Sequence, residues 1–590
     1  MEYNKLDSDQ IYHSFISGAH EIIRKREEIN RINVFPVADG DTGTNLALTL
    51  DSLVNNSRKH PSAGATLQSM SEAVLAGARG NSGIIFAEFI GGLAEALISV
   101  EKITVHAFSQ ALNNAVRKAY EALQHPVEGT ILTVIKEWAK SIEEQKQLQN
   151  FSSLFQKTLK TAKRALEDTP NQLEVLKKAH VIDAGAAGFY HFLEGATKYL
   201  SLGETSVISA QAATLENELK GVHGGEYPTH RYCAEGLIRG TEIDTDDLRK
   251  ILDPYGDSLI VAGGHSLARV HIHTDTPAAV FRKLSTFGAI TEQKVDDMVR
   301  EYEVTHDRKY KIALVTDSIC DLPKELIDRY QIHVVPMNVS IGDTEYLDGV
   351  TITSDYIYSQ VDTIDPYPTT SQPAPIVFRQ LYSYLSTYYD SIIAIHVSSA
   401  LSGTCGVSKR EAERFGNQKI TVIDSKQNSG SQALIVLRAA EAIAAGKNHE
   451  EVVLTTLESI QKAEILVSVP TLKYMVKGGR VTPFKGFLAG ILNFRPIVSL
   501  DDEGKAVLYG KAFSKKQNYK KLIQLLGKEL EKGKLKYYGL VHAENEDGAF
   551  SYAAEIEKKT GLQALFIQPI SPIMGLNAGK GCVAVVTMRE

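Results

Sequence analysis

The sequence predicts a multidomain protein with an all-α domain, a small α/β middle domain and a larger α/β region of two subdomains. Residues 1–202 carry apolar side chains at helical spacing and few β-branched runs. Residues 310–590 instead alternate short β-rich segments with helical ones, which is typical of packed α/β layers. Residues 203–231 are small and polar, as expected of a linker, and 590 residues are too many for one hydrophobic core.

In the all-α domain, segments 65–78, 105–123 and 154–166 show the helical spacing. Turns rich in Gly and Asp interrupt the helices, with the sequences VADGDTGTN, GARGNSG, VEGT and DAGAAG. Because functional residues concentrate on loops held by a rigid scaffold, we expect a helical bundle with these four loops gathered at one end.

The middle domain, residues 215–300, mixes predicted strands (YCAEGLI, SLIVAGG, LARVHIHT) with predicted helices (DTDDLRKIL, PAAVFRKLS). The charged stretch 296–311 is expected to connect it to the last domain, residues 310–590. The strands predicted there are ALVTDS, HVVPMNVSI, SIIAIHVS, ITVIDS, AEILVSV, PIVSL, YYGLVHA, ALFIQPI and CVAVVTM.

Composition argues against several classes of protein. A net charge of −7 gives no general attraction to nucleic acid or to anionic membranes. No run reaches the roughly 18 apolar residues of a membrane span, and the first residues do not resemble a signal peptide. The four cysteines are far apart, which fits a reducing cytoplasm better than a disulfide framework. We therefore expect a cytoplasmic protein that would hold any lipid in its interior.

The first loop places Asp39 and Asp41 one residue apart in a Gly-containing turn. Both carboxylates can face one hard cation, and Mg²⁺ prefers oxygen ligands that it shares with nucleotide phosphates. The alternative is an Asx turn with a helix cap, which uses the same residue types. An EF-hand would need Glu where Leu50 stands, and no Gly-Lys pair is followed by Ser or Thr as a P-loop requires.

The second loop, with Gly80, Asn81, Ser82 and Gly83, precedes an apolar helix. Glycines let backbone N–H groups approach a phosphate, and a helix N-terminus favours an anion. A tight packing turn is the alternative. The third loop (VEGT) and the fourth loop (DAGAAG) likewise contain glycines and precede helical segments. Their candidate residues are Thr130, Asp183 and Gly185.

In the middle domain, His271 and His273 alternate on a predicted strand, so both imidazoles lie on one face. With Cys233 from another predicted strand they form a donor set that suits Zn²⁺. The alternative is a structural or solvent-facing histidine pair.

The motifs NVFPVADGDTGTN, GARGNSG, EGTILTVIKE and VIDAGAAG resemble, in this order, the nucleotide-binding domain shared by dihydroxyacetone kinases and bacterial fatty acid kinases. The resemblance implies an all-helical barrel that binds ATP and Mg²⁺, with Asp39 and Asp41 as metal ligands and Asn33 or Asn45 as a further ligand. Residues expected to contact the nucleotide are Thr42, Gly43, Thr44, Asn45, Gly80, Asn81, Ser82, Gly83, Thr130, Asp183 and Gly185. The middle segment resembles the middle domain of fatty acid kinases, which implies a zinc site at Cys233, His271 and His273.

The last domain resembles the DegV family of fatty-acid-binding proteins through VTDSICDLP, YPTTSQPAP, HVSSALSGT, VIDSKQNSG, LKYMVKGGRV and ILNFRPIV. This implies a tunnel for one acyl chain, with its carboxylate near hydroxyl groups. The head-group candidates are Thr370, Ser371, Ser402, Thr404, Arg480 and Asn577. Asn577 stands where the family has His, and it can donate a hydrogen bond but carries no charge. Singly, such residues would be ordinary turns and caps.

Together these features predict ATP-dependent phosphorylation of a protein-bound fatty acid to an acyl phosphate. Fusion in one chain would raise the effective concentration of the lipid at the kinase site. We also expect a homodimer and a downstream acyltransferase that uses the acyl phosphate. Two other functions remain open: a dihydroxyacetone-type small-molecule kinase with a regulatory lipid-binding domain, and a non-catalytic lipid carrier or sensor.

Overall fold

The computed structural model describes residues 3–35, 40–123, 126–203, 227–416, 419–479 and 494–590. The chain divides into two compact units, Met1–Thr305 and His306–Glu590. No helix in the described ranges combines the length and hydropathy needed to cross a bilayer.

The first unit opens with helices that pack side by side. They are α1 (Ser8–Arg31), α2 (Thr42–Asn56), α3 (Ala63–Gly77), α4 (Gly80–Leu97), α5 (Val105–Glu121), α6 (Ile131–Glu144), α7 (Phe151–Glu167), α8 (Thr169–Gln172), α9 (Glu174–Ala179) and α10 (Ala184–Leu202). Each helix from α1 to α7 packs against the next, and α10 packs against α7, α6 and α1. The short strands β1 (Lys5–Leu6) and β2 (Ile103–Thr104) pair antiparallel. The predicted all-α region is therefore present.

Aromatic side chains fill the centre of these helices. The Trp138 ring on α6 lies 5.6 Å from the Phe155 ring and 5.9 Å from the Phe189 ring, centroid to centroid, both edge to face. Phe89 and Phe108 also pack on Trp138, and all five side chains are buried. Such edge-to-face packing of buried rings contributes to the packing of α4, α5, α6, α7 and α10 against one another.

A four-stranded antiparallel sheet completes the first unit. Its strands are β3 (Tyr232–Arg239), β4 (Gly256–Gly264), β5 (Leu267–Thr274) and β6 (Ala289–Asp297), in the order β4-β5-β3-β6, and its helices are α11 (Thr245–Leu252), α12 (Pro277–Leu284) and α13 (Met298–His306). The sheet lies against the helical part: Gly263 N–H donates to Glu88 on α4 at 2.5 Å, and Arg269 Nη1 donates to the Ala76 carbonyl of α3 at 2.9 Å.

The prediction that residues 296–311 form a charged connector is wrong in part. Its start is the end of β6, and most of the remainder is α13. β6 escapes prediction because Ile290 is its one buried residue, so it shows no apolar alternation. Backbone pairing with β3 from Tyr232 to Arg239 makes it a strand.

The second unit contains a parallel sheet, a small antiparallel sheet and a larger mixed sheet. The parallel strands are β7 (Ile312–Asp317), β8 (His333–Val335), β12 (Ser391–His396) and β13 (Ile420–Asp424), in the order β13-β12-β7-β8; the small sheet is β10 (Thr344–Leu347), β9 (Asn338–Ile341) and β11 (Thr369–Ser371). β7 and β12 are buried along their whole length, as inner parallel strands are.

The mixed sheet has the order β16-β15-β14-β19-β17-β18, in which β17 and β18 pair parallel and the other neighbours pair antiparallel. Its strands are β14 (Ala463–Ser468), β15 (Arg495–Leu500), β16 (Ala506–Ala512), β17 (Leu535–His542), β18 (Ile567–Pro569) and β19 (Val583–Arg589). The helices of this unit are α14 (Lys324–Arg329), α15 (Ser354–Gln360), α16 (Pro375–Tyr388), α17 (Thr404–Ala412), α18 (Ser429–Ala444), α19 (His449–Ile460), α20 (Lys473–Lys477), α21 (Lys515–Glu531), α22 (Glu546–Thr560) and α23 (Pro572–Ala578). Since α18 contacts β7 of the parallel sheet and β14 and β19 of the mixed sheet, it joins the two layers.

Candidate functional site

The start of α2 presents Asp41 as its N-cap residue, but the Asp41 side chain makes no capping bond. Asn33 caps the helix instead, because its Oδ1 accepts from Thr42 N–H at 3.0 Å. Asp41 Oδ2 accepts from the side-chain amide of Asn45 at 2.7 Å. The cap alternative therefore does not account for the Asp41 carboxylate. Asp39 lies outside the described residues.

Two residues of the first loop face α1 rather than the other loops. Asn30 binds both the backbone N–H of Thr44 at 3.0 Å and its hydroxyl at 2.9 Å. A Cβ on Gly43 would stand 2.2 Å from the Arg26 carbonyl oxygen. Gly43 and Thr44 thus hold α2 against α1, and no pattern in the sequence pointed to Asn30 as their partner.

The second loop meets the first at Gly80, the first residue of α4. Gly80 has φ +59°, and an added Cβ would stand 2.7 Å from Asn45 Nδ2. One turn on, a Cβ on Gly83 would stand 2.5 Å from Thr49 Oγ1. Both glycines therefore permit the start of α4 to approach the first turns of α2.

The fourth loop brings the start of α10 next to the start of α4. A Cβ on Gly185 would stand 2.7 Å from Ser82 Oγ and 3.3 Å from the Ile131 side chain at the start of α6. Asp183 caps α10 by accepting from Ala186 N–H at 2.7 Å. Burial raises the pKa of Asp183 to about 7, against the opposing effect of its backbone donors, which include Ile131 N–H. Asp183 therefore links the starts of α6 and α10.

The helix starts of α2, α4, α6 and α10 consequently lie next to one another. Each helix N-terminus has partial positive charge and outward-pointing N–H groups, so their combination favours a polyanion. Asn81 Oδ1 is buried there and has no hydrogen-bond partner among the described residues. At the start of α6, the Thr130 hydroxyl donates to the Val127 carbonyl at 2.7 Å.

The candidate metal cluster lies on one face of the middle sheet. β3 and β5 pair Cys233 with His273 and Glu235 with His271. One donor atom each from Cys233, His271 and His273 lies within 4.8 Å of the others, and Cys233 Sγ is 3.8 Å from His271 Nδ1. Burial raises the pKa of the Cys233 thiol and, together with His271, lowers the pKa of His273 to about 3.

These side chains fit a zinc ion. Glu235 Oε1 lies 3.3 Å from His271 Nδ1, and an ionised carboxylate only accepts, so Nδ1 carries the proton. The lone pair is then on His271 Nε2, a buried atom with no partner among the described residues. One thiol and two imidazoles in a partly buried cluster are a donor set that Zn²⁺ uses in proteins. Glu235 itself was not predicted as a site residue, although it follows Cys233 by two on the same strand and so shares its face.

The second unit contains a partly open cavity with a mostly apolar wall, which is the usual character of a site for an organic ligand. Strands of the mixed sheet, segments that follow strands of the parallel sheet, and α23 line it. Of the predicted head-group residues, Thr370, Ser402 and Asn577 are in its wall. Arg480 lies outside the described residues.

Two predicted head-group residues lie elsewhere. Thr370 and Ser371 are neighbours on β11, so their side chains leave on opposite faces, and Ser371 Oγ accepts from Asn338 at 3.4 Å instead. Thr404 is fully buried behind the wall, where its hydroxyl lies 3.1 Å from Met337 Sδ and 2.8 Å from Ser402 Oγ. Ser402 and Thr404 therefore lie together, whereas strand geometry sends the side chains of Thr370 and Ser371 to opposite faces of β11.

The Asn577 side chain makes a hydrogen bond within its own helix, α23. Its Nδ2 donates to the Ile573 carbonyl at 2.9 Å, and its Oδ1 is buried with no partner in the described part of the chain. Lys580, three residues further along the chain, forms an ion pair with Glu544 at 2.5 Å. Of the predicted residues, Thr370 and Ser402 bring hydroxyl groups to the cavity wall, which also contains Ser429 and Ser499.

Comparison with known families agrees with the division of the chain into two units. The chain matches the DAK2 domain over residues 36–198, the middle domain of fatty acid kinase-like proteins over 229–305, and "uncharacterised protein, DegV family" over 311–590. The chain therefore combines three kinds of domain. In particular, it carries a DAK2 domain, a fatty acid kinase middle domain and a DegV domain in one polypeptide, which confirms the resemblance drawn from its motifs.

Curated relatives include three uncharacterized staphylococcal proteins. That of Staphylococcus saprophyticus is 33% identical over 315 residues, 51% of this chain and 56% of its own. The protein of Staphylococcus epidermidis is 33% identical over 356 residues, 58% of this chain and 61% of its own. The protein of Staphylococcus aureus is 33% identical over 337 residues, 53% of this chain and 60% of its own. The chain thus spans about three-fifths of the length of these relatives.

Similar solved structures include a DegV family protein of Thermus thermophilus, described as fatty acid binding, and DegV of Bacillus subtilis, described as a fatty acid binding protein. They are 28% and 26% identical, each covers 48% of this chain and 100% of its own, and the TM-scores are 0.45 and 0.44.

Proposed function

We propose that this protein is an ATP-dependent fatty acid kinase whose second unit holds the lipid. The observation that carries the proposal is the meeting of the starts of α2, α4, α6 and α10 beside Asp41, in a chain with DAK2 and fatty acid kinase middle domains. A polyphosphate fits such a cluster of helix N-termini, and Asp41 offers a carboxylate to its Mg²⁺.

Bound Mg-ATP would supply the phosphoryl group, and the products would be an acyl phosphate and ADP. A fatty acid carboxylate is already an oxygen nucleophile, so no general base is required of the chain. Its residues act by position and electrostatics: the helix starts and Asp41 hold the phosphates and their metal. Cys233, His271 and His273 would hold a structural zinc ion in the middle sheet.

The cavity of the second unit supports the lipid part of the proposal. Its wall is mostly apolar, which suits an acyl chain, while Thr370 and Ser402 bring hydroxyl groups for a carboxylate. We propose that the fatty acid lies there, and that an acyltransferase downstream consumes the acyl phosphate. Cytoplasmic location and a homodimer remain part of this proposal.

The test is capture of acyl phosphate by hydroxylamine after incubation of the full chain with MgATP and oleate. The Asp41→Asn variant should lower hydroxamate formation about 100-fold or more, since a ligand to the metal-phosphate charge is lost.

Asp51→Asn is the matched control. Asp51 is on the same helix, and its Oδ2 also accepts from an Asn four residues on, Asn55, at 2.9 Å. This variant should keep wild-type activity. Full hydroxamate formation by Asp41→Asn would refute the metal role, and absence of hydroxamate with the wild type would refute the kinase.

A further inference from the structure

Glu235 connects the candidate metal cluster to the glycine-rich start of α4. It is 4% exposed and lies on β3, on the face that carries Cys233. One oxygen, Oε1, accepts from Gly80 N–H at 3.1 Å and from His271 Nδ1 at 3.3 Å. A single carboxylate oxygen thus joins a helix start from the DAK2 domain to a metal-cluster imidazole from the middle sheet.

The buried side chain of Arg269 restricts the movement of Glu235. Arg269 is 1% exposed, and its Nη2 lies 3.6 Å from Glu235 Oε2. The same guanidinium donates through Nη1 to the Ala76 carbonyl at the end of α3, 2.9 Å away. Hydrogen bonds therefore hold the sheet to α3 and to the start of α4. A displacement of His271 would for this reason be transmitted through Glu235 to Gly80.

We propose that Glu235 couples the two sites, so that a metal ion at Cys233, His271 and His273 and a nucleotide at the start of α4 raise each other's affinity. The inference rests on the proposed function, because it needs a nucleotide site at that helix start. Its content is regulatory: metal occupancy of the middle sheet sets how well the kinase site binds its nucleotide.

The hydrogen bonds indicate why metal binding and nucleotide binding should strengthen, rather than weaken, each other. A metal ion on His271 Nε2 fixes the ring and makes its Nδ1–H a firmer donor to Glu235. A fixed Glu235 holds Gly80, whose φ of +59° is a conformation that the backbone leaves easily when unsupported. A pre-ordered loop loses less entropy when it binds phosphate, so nucleotide affinity rises. Linkage requires the nucleotide to raise metal affinity by the same factor.

The experiment measures binding, not turnover, on the full chain. Isothermal titration calorimetry gives the Kd of Mg²⁺ and a non-hydrolysable ATP analogue for chain loaded with one equivalent of Zn²⁺ and for chain stripped of zinc. We expect stripping to weaken nucleotide binding about fivefold or more. The reciprocal measurement needs no stripped protein: the nucleotide should tighten zinc to the same extent in competition with a chromophoric chelator.

The decisive variant is Glu235→Gln, which keeps the size of the side chain but replaces its charged acceptor. It should still bind zinc, and its nucleotide affinity should no longer depend on zinc. The control is Glu292→Gln, on the same sheet face, which pairs with Arg269 at 3.3 Å and Arg79 at 3.5 Å. This variant should keep the coupling.

The outcomes separate the two proposals. Equal nucleotide affinity with and without zinc in the wild type, or zinc dependence that survives in Glu235→Gln, overturns the coupling and leaves the kinase proposal standing. Loss of the coupling in Glu292→Gln as well would assign it to the whole sheet face and overturn the role of Glu235. A zinc-loaded wild-type chain that binds no nucleotide overturns both.

Discussion

Gly80 offers a direct test of how the helix starts are assembled. Its φ of +59° is in the left-handed region, and a Cβ would stand 2.7 Å from Asn45 Nδ2. Asn45 in turn donates to Asp41 at 2.7 Å. The substitution Gly80→Ala therefore strains the backbone and displaces a side chain that orients the candidate metal ligand.

The cost has two parts. A left-handed conformation costs an L-residue about 1–2 kcal/mol. Loss of a hydrogen bond to a charged group costs about 1.5–3 kcal/mol, and the partly exposed Asp41 favours the lower value. We expect the free energy of unfolding of the first unit to fall by ~2–4 kcal/mol, which lowers its melting temperature by about 3–6 °C.

Differential scanning calorimetry measures this change, and Gly91→Ala on the same helix is the control. A Cβ on Gly91 meets only Ser71 Oγ, at 3.5 Å, so alanine should raise stability by up to ~1 kcal/mol. The Kd for MgATP should rise about tenfold in Gly80→Ala and stay unchanged in Gly91→Ala. If Gly80→Ala melts and binds MgATP as the wild type does, the close approach of α4 to α2 is not required and the reasoning fails.

Three further predictions concern the other sites. Metal analysis should find one zinc per wild-type chain and none in Cys233→Ser; a metal-free wild type would remove the zinc site. Thr370→Val should lower the lipid that co-purifies with the protein, whereas Ser371→Ala should not, as mass spectrometry can test; equal losses would contradict the strand geometry. Burial raises the pKa of Asp321 to about 7, so its proton is held in the folded state, and the contribution of Asp321 to the stability of the second unit should fall by about 2 kcal/mol between pH 5 and 7. In calorimetry the Asp321→Asn variant should lose this dependence, while the exposed Asp355→Asn should retain it; an unchanged slope in Asp321→Asn would refute the assignment.

The tertiary structure assigned different roles to residues that the sequence treated alike. Gly43 and Gly80 stand in similar loops, yet Gly43 packs on α1 and Gly80 reaches Asn45. Thr370 and Ser371 are adjacent hydroxyl residues of one motif, and strand pairing turns only Thr370 to the cavity. A motif records which residue types occur together, but the direction of each side chain depends on the element that carries it.

Local patterns by themselves determined the three-part organisation of the chain, the all-α character of residues 1–202, the four loops and the shared face of His271 and His273. These depend on periodicity and on the conformational preferences of glycine, which neighbouring residues determine. The packing of distant segments decided the rest: the polar strand β6, the capping of α2 by Asn33, and Glu235 between Gly80 and His271. Those features depend on contacts between residues as far apart in the chain as Gly80 and Glu235, which are separated by 155 positions, and a single sequence carries no local record of such contacts.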